Sequence, residues 1–283
     1  MGLAQGSEKE EVGMQDRRSI LNVLSLGAGV QSSAMALMAA HGEIEPMPDC
    51  AIFADTGAEP QHVYDQLNRI QEIVPFPVYT VMEKDGLEQG INGSFTGNRF
   101  ASVPFFTEST GGGGMLRRQC TREYKIQPIQ LKIRELMGLK KGQRGPKDVS
   151  VRQWIGISMD ESHRMKPNHV GWIENIWPLV DKRMHRYHCL QWMEKNGYEL
   201  PKKSACYFCP YHDDKTWIDM KKNDPDSWEK AIEMDSRIRT GMHGTKEKLY
   251  LHNSMKPIDE VDFDPNKDQV DMFGNECEGL CGV

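Results

Sequence analysis

The chain has 283 residues, of which 38% are apolar and 27% charged, and its formal net charge is −6. This length suits one large domain or a domain with a subdomain, and the mixed charges argue against wholesale disorder. The negative balance excludes a general nucleic-acid-coating protein, so any polynucleotide contact must be a local patch.

The first eighteen residues are polar and lack the apolar core of a signal peptide, which predicts a mobile tail on a cytoplasmic protein. No apolar run approaches the roughly 20 residues that span a bilayer, so no membrane partner is expected. An odd number of cysteines without an export signal argues against a disulfide framework. Clustered thiols in a reducing compartment indicate metal or redox chemistry instead. The seven cysteines are Cys50, Cys120, Cys189, Cys206, Cys209, Cys277 and Cys281.

Short apolar runs alternate with helical periodicity through the first 180 residues. This alternation predicts a doubly wound parallel sheet with flanking helices, an α/β fold. Residues 84–118, rich in Gly, Ser, Thr and Phe, are expected to form a long irregular stretch. Strands are predicted at 22–26, 50–54, 78–82, 151–157 and 172–179, and helices at 31–40, 61–74 and 123–137.

The second half of the chain predicts helices at 183–196, 213–222 and 226–240, with a tight loop at 206–210. The segment after residue 258 is acidic and irregular. We therefore expect a small cysteine-bearing C-terminal subdomain. The predicted ranges are a mobile tail at 1–18, a nucleotide-binding α/β domain at 19–180, a helical CxxC subdomain at 181–258 and an acidic cysteine-containing tail at 259–283.

The segment SLGAGVQSS joins the first predicted strand to the first predicted helix. Backbone N–H groups at such a helix start attract anions, and the helix dipole favours negative charge. The alternative is a turn that needs small residues only for packing, and the sequence leaves both open. The candidate nucleotide-binding residues here are Ser25, Gly27, Ala28, Gly29, Gln31, Ser32 and Ser33.

A second candidate segment, Asp55-Thr56-Gly57, follows the second predicted strand. Ligands of open α/β sheets bind at the carboxyl ends of strands, which would bring this segment close to the first turn. The alternative for Asp55 is a cap on the next helix. Six basic residues suit phosphate or sulfate clamping, although each alone is by default a solvated surface charge. They are Arg117, Arg118, Arg122, Lys125, Arg152 and Arg164.

The CxxC loop of Cys206 and Cys209 places two thiolates on one ion or cluster, with Cys120 and Cys189 upstream. A redox pair or two small buried residues are the alternatives. The additional cysteines, with His188 and His212 nearby, favour a metal. Spacing does not separate zinc from iron. Cys277 and Cys281 lie on an acidic tail, where spacing alone favours incidental cysteines over reactive ones.

Taken together and in this order, these segments resemble the phosphoadenosine phosphosulfate (PAPS) reductase family of the adenine nucleotide α-hydrolase superfamily. SLGAGVQSS resembles its pyrophosphate loop, SGGxDS, and FADTGAEP resembles its DTG motif. Cys120 followed by KIQP resembles a cysteine-then-KxxP segment. GISMDESHR, from Gly156 to Arg164, resembles a GxRxxES..R segment near the nucleotide. CYFCP resembles the later CxxC of members that contain a cluster.

The resemblance implies that ATP or another adenine nucleotide, with magnesium, is bound by the two turns together with Lys125, Gly156, Glu161 and Arg164. It also implies a [4Fe–4S] cluster, with zinc as the alternative. Two departures bear on this: Gln31 stands where the family has Asp, and Thr121 where cluster-containing reductases have a second cysteine. The implied metal ligands are Cys120, Cys206 and Cys209, with Cys189 as the candidate replacement for the fourth; without it the site is of an open, three-cysteine type.

Three functions follow from this resemblance. The first is ATP-dependent sulfur insertion, or thiolation, of an acceptor that is a nucleic acid or a small metabolite. The second is thiol-dependent reduction of a sulfonucleotide, in which Cys277 or Cys281 is the catalytic nucleophile, because the tail loosely resembles the family's ECGLH segment. The third is a non-enzymatic nucleotide-binding module with a structural zinc. The expected partners are an adenine nucleotide, a sulfur acceptor or sulfonucleotide, and further copies of this chain, with at most a local nucleic-acid contact.

Overall fold

The computed structural model describes residues 20–265, except residues 98, 101, 109–112 and 246. The predicted mobile tail at 1–18 and the candidate nucleophiles Cys277 and Cys281 lie outside the described residues. Within them, no helix is both long enough and apolar enough to cross a bilayer.

Regular elements follow one another closely along the described chain. The strands are β1 (Leu21–Leu26), β2 (Cys50–Asp55), β3 (Val78–Met82), β4 (Phe106–Thr107), β5 (Gly114–Met115), β6 (Val151–Trp154), β7 (Ile173–Ile176) and β8 (Leu249–Tyr250). The helices are α1 (Val30–Ala40), α2 (Gln61–Ile73), α3 (Gly86–Phe95), α4 (Gln127–Leu136), α5 (Pro178–Asp181), α6 (Arg186–Lys195), α7 (Asp214–Asn223) and α8 (Pro225–Ile238). A π-helical turn (Arg122–Ile126) leads into α4, and 3-10 turns span Met159–Arg164 and Ile258–Glu260.

Five parallel strands form the central sheet in the order β3-β2-β1-β6-β7. Val23 of β1 pairs with Cys50 of β2, and Leu21 pairs with Val151 of β6. The chain therefore adds β2 and β3 on one side of β1, and then β6 and β7 on the other side. This confirms the predicted doubly wound α/β sheet. The carboxyl ends of β1 and β6 flank the point at which the strand order reverses, where such sheets bind ligands.

Both faces of the central sheet are buried, which explains its nearly continuous apolar strands. Along β2, Ala51 and Phe53 belong to a first core cluster that contains buried residues of α1, α2 and α6. Cys50, Ile52 and Ala54 alternate with them and belong to a cluster with α4. Because successive side chains of a strand point to opposite faces, this one apolar run packs against helices on both sides of the sheet.

A further core cluster packs around a small antiparallel sheet in the order β5-β4-β8. It gathers residues of α3, α7 and α8, including Ile91, Trp217 and Trp228. The expectation of irregular structure at 84–118 was therefore wrong where α3, β4 and β5 form. The glycines that suggested a loop permit close packing in α3, because a Cβ on Gly90 would lie 1.8 Å from the Tyr124 hydroxyl.

Helix α6 packs against α1 in the first core cluster, through the buried residues Cys189 and Met193. The cluster around the small antiparallel sheet, by contrast, contains residues from Ala58 to Val261. Helix α6 and helices α7 and α8, which the sequence places in one predicted subdomain, thus pack in different core clusters. The domain boundaries themselves stay predictions.

Candidate functional site

The turn between β1 and α1 is closed by other parts of the chain. Ser32 Oγ accepts a hydrogen bond from Gly27 N at 3.2 Å, and Ser204 Oγ donates to Gly27 O at 2.5 Å. Ala28 adopts a left-handed backbone conformation with φ +56°. All residues from 27 to 33 are buried. The predicted anion turn therefore has the expected strand–turn–helix form, but its surface is covered.

Gly156 follows β6 and packs directly on the N-terminus of α1. A Cβ at this position would lie 2.9 Å from Ser32 N and 3.0 Å from Ser32 Cα. Only glycine permits this approach, because the obstructing atoms are backbone. Gln153 Nε2 donates to Ser25 Oγ at 2.8 Å, which joins the two strands beneath the turn. The chain after β6 is thereby held over the turn.

A polar network joins α1 to the 3-10 turn at Met159–Arg164 and to α6. Gln31 Nε2 donates to Glu161 Oε2 at 3.1 Å, and Arg186 Nη1 donates to Gln31 Oε1 at 2.9 Å. Arg164 Nη1 lies 2.6 Å from Glu161 Oε1. The guanidinium groups of Arg164 and Arg186 therefore belong to one network, which is connected through Glu161 and Gln31. Arg186 was missed from the sequence, where it is one charge among several in a polar helix.

Ser33 is the one predicted turn residue whose side chain is left unsatisfied. Its hydroxyl oxygen is buried and has no hydrogen-bond partner within the described chain. A buried hydroxyl without a partner costs free energy.

The second turn, Asp55 to Gly57, is organised by its own side chains. Asp55 Oδ1 accepts from Gly57 N at 2.7 Å and from the Tyr64 hydroxyl at 2.8 Å. Burial and the Asp55 carboxylate raise the pKa of Tyr64 above its ordinary value. Pro60, not Asp55, occupies the N-cap position of α2, so the helix-capping alternative for Asp55 is not what the structure has.

Thr56 connects this turn to the CxxC loop. Thr56 Oγ1 donates to Glu59 Oε1 at 3.1 Å and lies 3.3 Å from Cys206 Sγ. Lys125 Nζ lies 3.2 Å from the same Glu59 oxygen, and both ionic side chains are buried. Glu59 Oε2 has no partner in the described chain. A buried ion pair with a spare carboxylate oxygen thus stands beside one thiol.

Three of the four predicted metal ligands line one small cavity. The CxxC loop is tied to the sheet edge because Tyr207 N donates to Ala58 O at 3.0 Å. Within the loop, Cys209 N donates to Cys206 O at 2.9 Å. Cys120 N donates to Ser102 O at 2.9 Å. The accessible volume is about 20 Å³, close to that of one water molecule. The polar or ionic lining residues are Thr56, Arg118, Cys120, Lys125, Cys206 and Cys209. We call it the cysteine cavity.

The predicted basic residues separate into two groups. Arg118 lines the cysteine cavity, donates to Thr121 Oγ1 at 2.8 Å and packs over the Tyr211 ring at 5.2 Å. Lys125 and Arg164 are placed by the contacts described above. Arg152 instead forms an exposed ion pair with Glu174 at 3.0 Å, and Arg117 and Arg122 are also exposed. These three arginines therefore lie on the surface, as the alternative of a solvated surface charge expected.

Cys189 lies apart from the cysteine cavity, on the face of α6 that packs against α1. Its side chain is fully buried, and burial raises the pKa of its thiol to about 12. The thiolate is the form that binds metals, so this environment opposes ligation. The structure therefore gives no support to Cys189 as the fourth ligand. Across the described residues, no three His, Cys, Asp or Glu side chains already surround one metal-sized point.

A larger cavity of about 440 Å³ lies between the start of α2, the start of α6 and the chain around α7. His212 is one wall residue; burial lowers its pKa to about 3, so it is neutral. His212 Nε2 therefore donates to Cys206 O at 2.9 Å, while its buried Nδ1 has no partner in the described chain. We call this space the basic cavity. Its basic lining residues are His62, Arg186, Lys202, Lys203, His212 and Lys215.

No protein-family model matches the sequence, and no curated protein matches it. Among solved structures, the phosphoadenylyl-sulfate (PAPS) reductase from Candida auris, in a phosphate complex, is similar over 67% of this chain and 81% of its own, with 12% identity and a TM-score of 0.43. The U34-tRNA thiolase NcsA from Methanococcus maripaludis, with its [4Fe-4S] cluster, is similar over 77% of this chain and 71% of its own, with 16% identity and a TM-score of 0.38. Because both scores are below 0.5, the fold assignment rests on the strand order itself.

Proposed function

We propose that this protein is an adenine-nucleotide-dependent sulfur-transfer enzyme whose reaction centre is the cysteine cavity. One observation carries the proposal: Cys120 joins the CxxC cysteines at a single cavity, although its segment is distant in sequence. The CxxC loop is bonded to the second turn, and Ser204, just before it, is bonded to the first. The thiols are therefore attached to the sheet edge at which α/β proteins bind nucleotides.

The donor set of the cysteine cavity suits an iron–sulfur cluster held by three thiolates. Arg118 and Lys125 line the same space, and Lys125 pairs with the Glu59 carboxylate beside Cys206. Cys120 and Cys209 are only half-buried, and a cluster would require these two side chains to move, because the space between the cysteines is about 20 Å³. Cys120, Cys206 and Cys209 would hold such a cluster, and the chemistry that it would supply is a source of sulfide.

The proposed reaction requires neither an oxidant nor a reductant. An oxygen of the acceptor attacks the α-phosphorus of ATP, a bond to the acceptor oxygen forms and pyrophosphate leaves. Sulfide then attacks the activated carbon, the carbon–oxygen bond breaks and AMP leaves with the former acceptor oxygen. In this scheme Thr56 and Glu59 fix the position of the Cys206 thiol through the contacts described above.

A structural zinc is the second candidate, and the size of the cysteine cavity favours it. A space of about 20 Å³ matches one ion rather than a cluster. Three cysteines with a fourth donor would complete a closed tetrahedral site. In that case the protein would be a nucleotide-binding module with no sulfur chemistry.

An isotope experiment tests the proposed activity. Anaerobically reconstituted protein is given ATP and ³⁵S-labelled sulfide with either total RNA or a small-molecule extract as the acceptor. We expect ATP-dependent labelling of one of these fractions, together with AMP release. Cys206→Ser should abolish the labelling, whereas Cys50→Ser, a buried cysteine of the α4 cluster, serves as the matched control.

Two results would reject the proposal. The first is the absence of ATP-dependent label from both fractions with iron-replete protein. The second is release of sulfite from adenylyl sulfate or phosphoadenylyl sulfate with a thiol reductant, which would establish sulfonucleotide reduction instead.

A further inference from the structure

A strongly charged loop joins α4 to β6, and the proposed reaction does not use it. The segment from 140 to 147 reads KKGQRGPK and contains no acidic residue, although the chain as a whole has a net charge of −6. Its four cations are all exposed, and they are Lys140, Lys141, Arg144 and Lys147. We call this segment the basic loop.

The basic loop has a defined conformation that is held by its neighbours. Gln143 N donates to Lys140 O at 3.0 Å, and Lys140 N donates to Gln143 Oε1 at 3.0 Å. Arg134 Nη2 of α4 donates to Gln143 O at 2.5 Å. A Cβ on Gly145 would lie 2.0 Å from Trp172 Nε1, so the loop backbone packs directly on the indole. The cations are therefore presented by a preorganised backbone, and a ligand would not have to order the loop.

The charges of the basic loop are not neutralised within the described chain. None of its four cations forms an ion pair with a described carboxylate. Carboxylates of the flanking elements have other cations: Glu135 pairs with Lys132 at 2.8 Å, and Glu174 pairs with Arg152 at 3.0 Å. Asp148, directly after the loop, sets one carboxylate against four cations. The surface is therefore positive and available to a polyanion.

The basic loop lies at the opposite edge of the central sheet from the cysteine cavity. It leads into β6, whose first residue, Val151, pairs with Leu21 at the start of β1. The cavity includes Thr56, which follows the carboxyl end of β2. Because the strands are parallel and have four to six residues at about 3.3 Å each, the two edges are roughly 13–20 Å apart. A ligand that contacts both the loop and the reaction centre must therefore be long.

Two kinds of polyanion match a positive surface, a nucleic acid and an anionic membrane. A segment that lies in a membrane interface combines basic residues with Trp, Phe or Leu. The basic loop has none of these, and its only apolar side chain is Pro146. Lysine and arginine side chains are typical contacts of nucleic-acid phosphates. A strand of a duplex covers 20 Å with about six nucleotides at about 3.4 Å each. The composition and the distance therefore favour a nucleic acid.

We propose that the basic loop binds the phosphate backbone of a nucleic acid that serves as the sulfur acceptor. The four cations contact the backbone at one edge of the sheet, while the atom to be modified reaches the cysteine cavity at the other. Phosphate contacts of this kind position the acceptor without reading its sequence. The acceptor role rests on the proposed function, whereas the binding itself rests on the basic loop alone.

Fluorescence anisotropy with full-length, metal-replete protein tests the binding in the absence of ATP. The probes are RNA, single-stranded DNA and duplex DNA of mixed sequence, and the tightest complex identifies the kind of nucleic acid. We expect Lys140→Ala/Lys141→Ala to weaken binding about 10-fold at low salt. The slope of log K against log[salt] should become shallower by about 1.4–1.8, as for the loss of two phosphate contacts. The matched control is Lys195→Ala/Lys222→Ala, which removes two exposed lysines from the ends of α6 and α7.

Three outcomes would overturn the proposal. If the control variant weakens binding as strongly as the loop variant, the effect is general electrostatics. If wild type binds vesicles of phosphatidylserine and phosphatidylcholine but no nucleic acid, the loop contacts a membrane surface. If it binds none of these probes at low salt, the loop is a solvated surface. In the last two cases the proposed function is judged separately, by ATP-dependent labelling of the small-molecule fraction. Thermal unfolding checks that both variants are folded.

Discussion

Two groups of cysteines occupy contrasting surroundings in this protein. The core cysteines, Cys50 and Cys189, are 3% and 0% exposed and pack among aliphatic side chains. Burial raises the pKa of Cys50 to about 11 and that of Cys189 to about 12. The cavity cysteines, Cys120, Cys206 and Cys209, line a space shared with Arg118 and Lys125. Position relative to the sheet edge, rather than spacing along the chain, therefore separates inert thiols from candidate ligands.

Of the substitutions at the cysteine cavity, Lys125→Met is expected to lower the free energy of unfolding most. This change leaves the buried Glu59 carboxylate without its cation, and we expect a loss of about 3–5 kcal/mol in the free energy of unfolding. The double variant Lys125→Met/Glu59→Gln should recover most of that loss. Denaturant titration measures both.

Arg152→Ala is the matched control for this change, because it breaks the exposed ion pair with Glu174. We expect it to cost less than about 1 kcal/mol. If Lys125→Met costs no more than this control, the ion pair beside the cavity cysteines is not desolvated, and the contrast with the core cysteines fails.

A pH experiment tests the other side of the contrast. The folded Cys50 thiol has a pKa of about 11, against an ordinary value of 9.0. Above pH 9 the unfolded chain loses a proton that the folded chain keeps, so the free energy of unfolding falls as pH rises towards 11. The full shift corresponds to roughly 2–3 kcal/mol.

Cys50→Ala should lack this part of the alkaline decline. The free energy of unfolding is measured against pH from pH 8 to pH 11 for wild type and variant. The difference between the two slopes cancels the titration of other groups. Parallel curves would show that Cys50 is not held as a neutral thiol by its surroundings.

A substitution at the junction between β6 and the first turn should lower the free energy of unfolding by a smaller amount. Gly156→Ala drives a methyl group against the backbone of Ser32, at 2.9 Å from its N atom, and we expect a loss of about 1–3 kcal/mol. Gly171→Ala is the control, since nothing lies within 4 Å of the added carbon. Equal stability of the two variants would mean that the turn is less closed than described.

The central sheet could be predicted well because its strands are short apolar runs buried on both faces. The prediction for β3 matched at both ends, and those for β1 and β2 each fell one residue short. Helix α3 was missed because its glycines resemble a loop, whereas in the fold they admit Tyr124.

The candidate site could be predicted only where its residues form local motifs. The CxxC pair, Cys120 and the two turns were visible as short patterns after strands. Cys189 was assigned to the metal because it precedes the CxxC loop in sequence, but its helix buries it against α1. Arg186 has no local signal, since it reaches Gln31 only through the packing of α6 against α1.

Metal analysis of four proteins tests the central claim most directly. Wild type, Cys120→Ser, Cys206→Ser and Cys189→Ala are prepared anaerobically, and iron, zinc and acid-labile sulfide are measured per chain. We expect wild type and Cys189→Ala to contain equal iron and sulfide, and the two serine variants to lose them. Full metal content in both serine variants, or loss of the metal in Cys189→Ala, would contradict the separation of cavity cysteines from core cysteines.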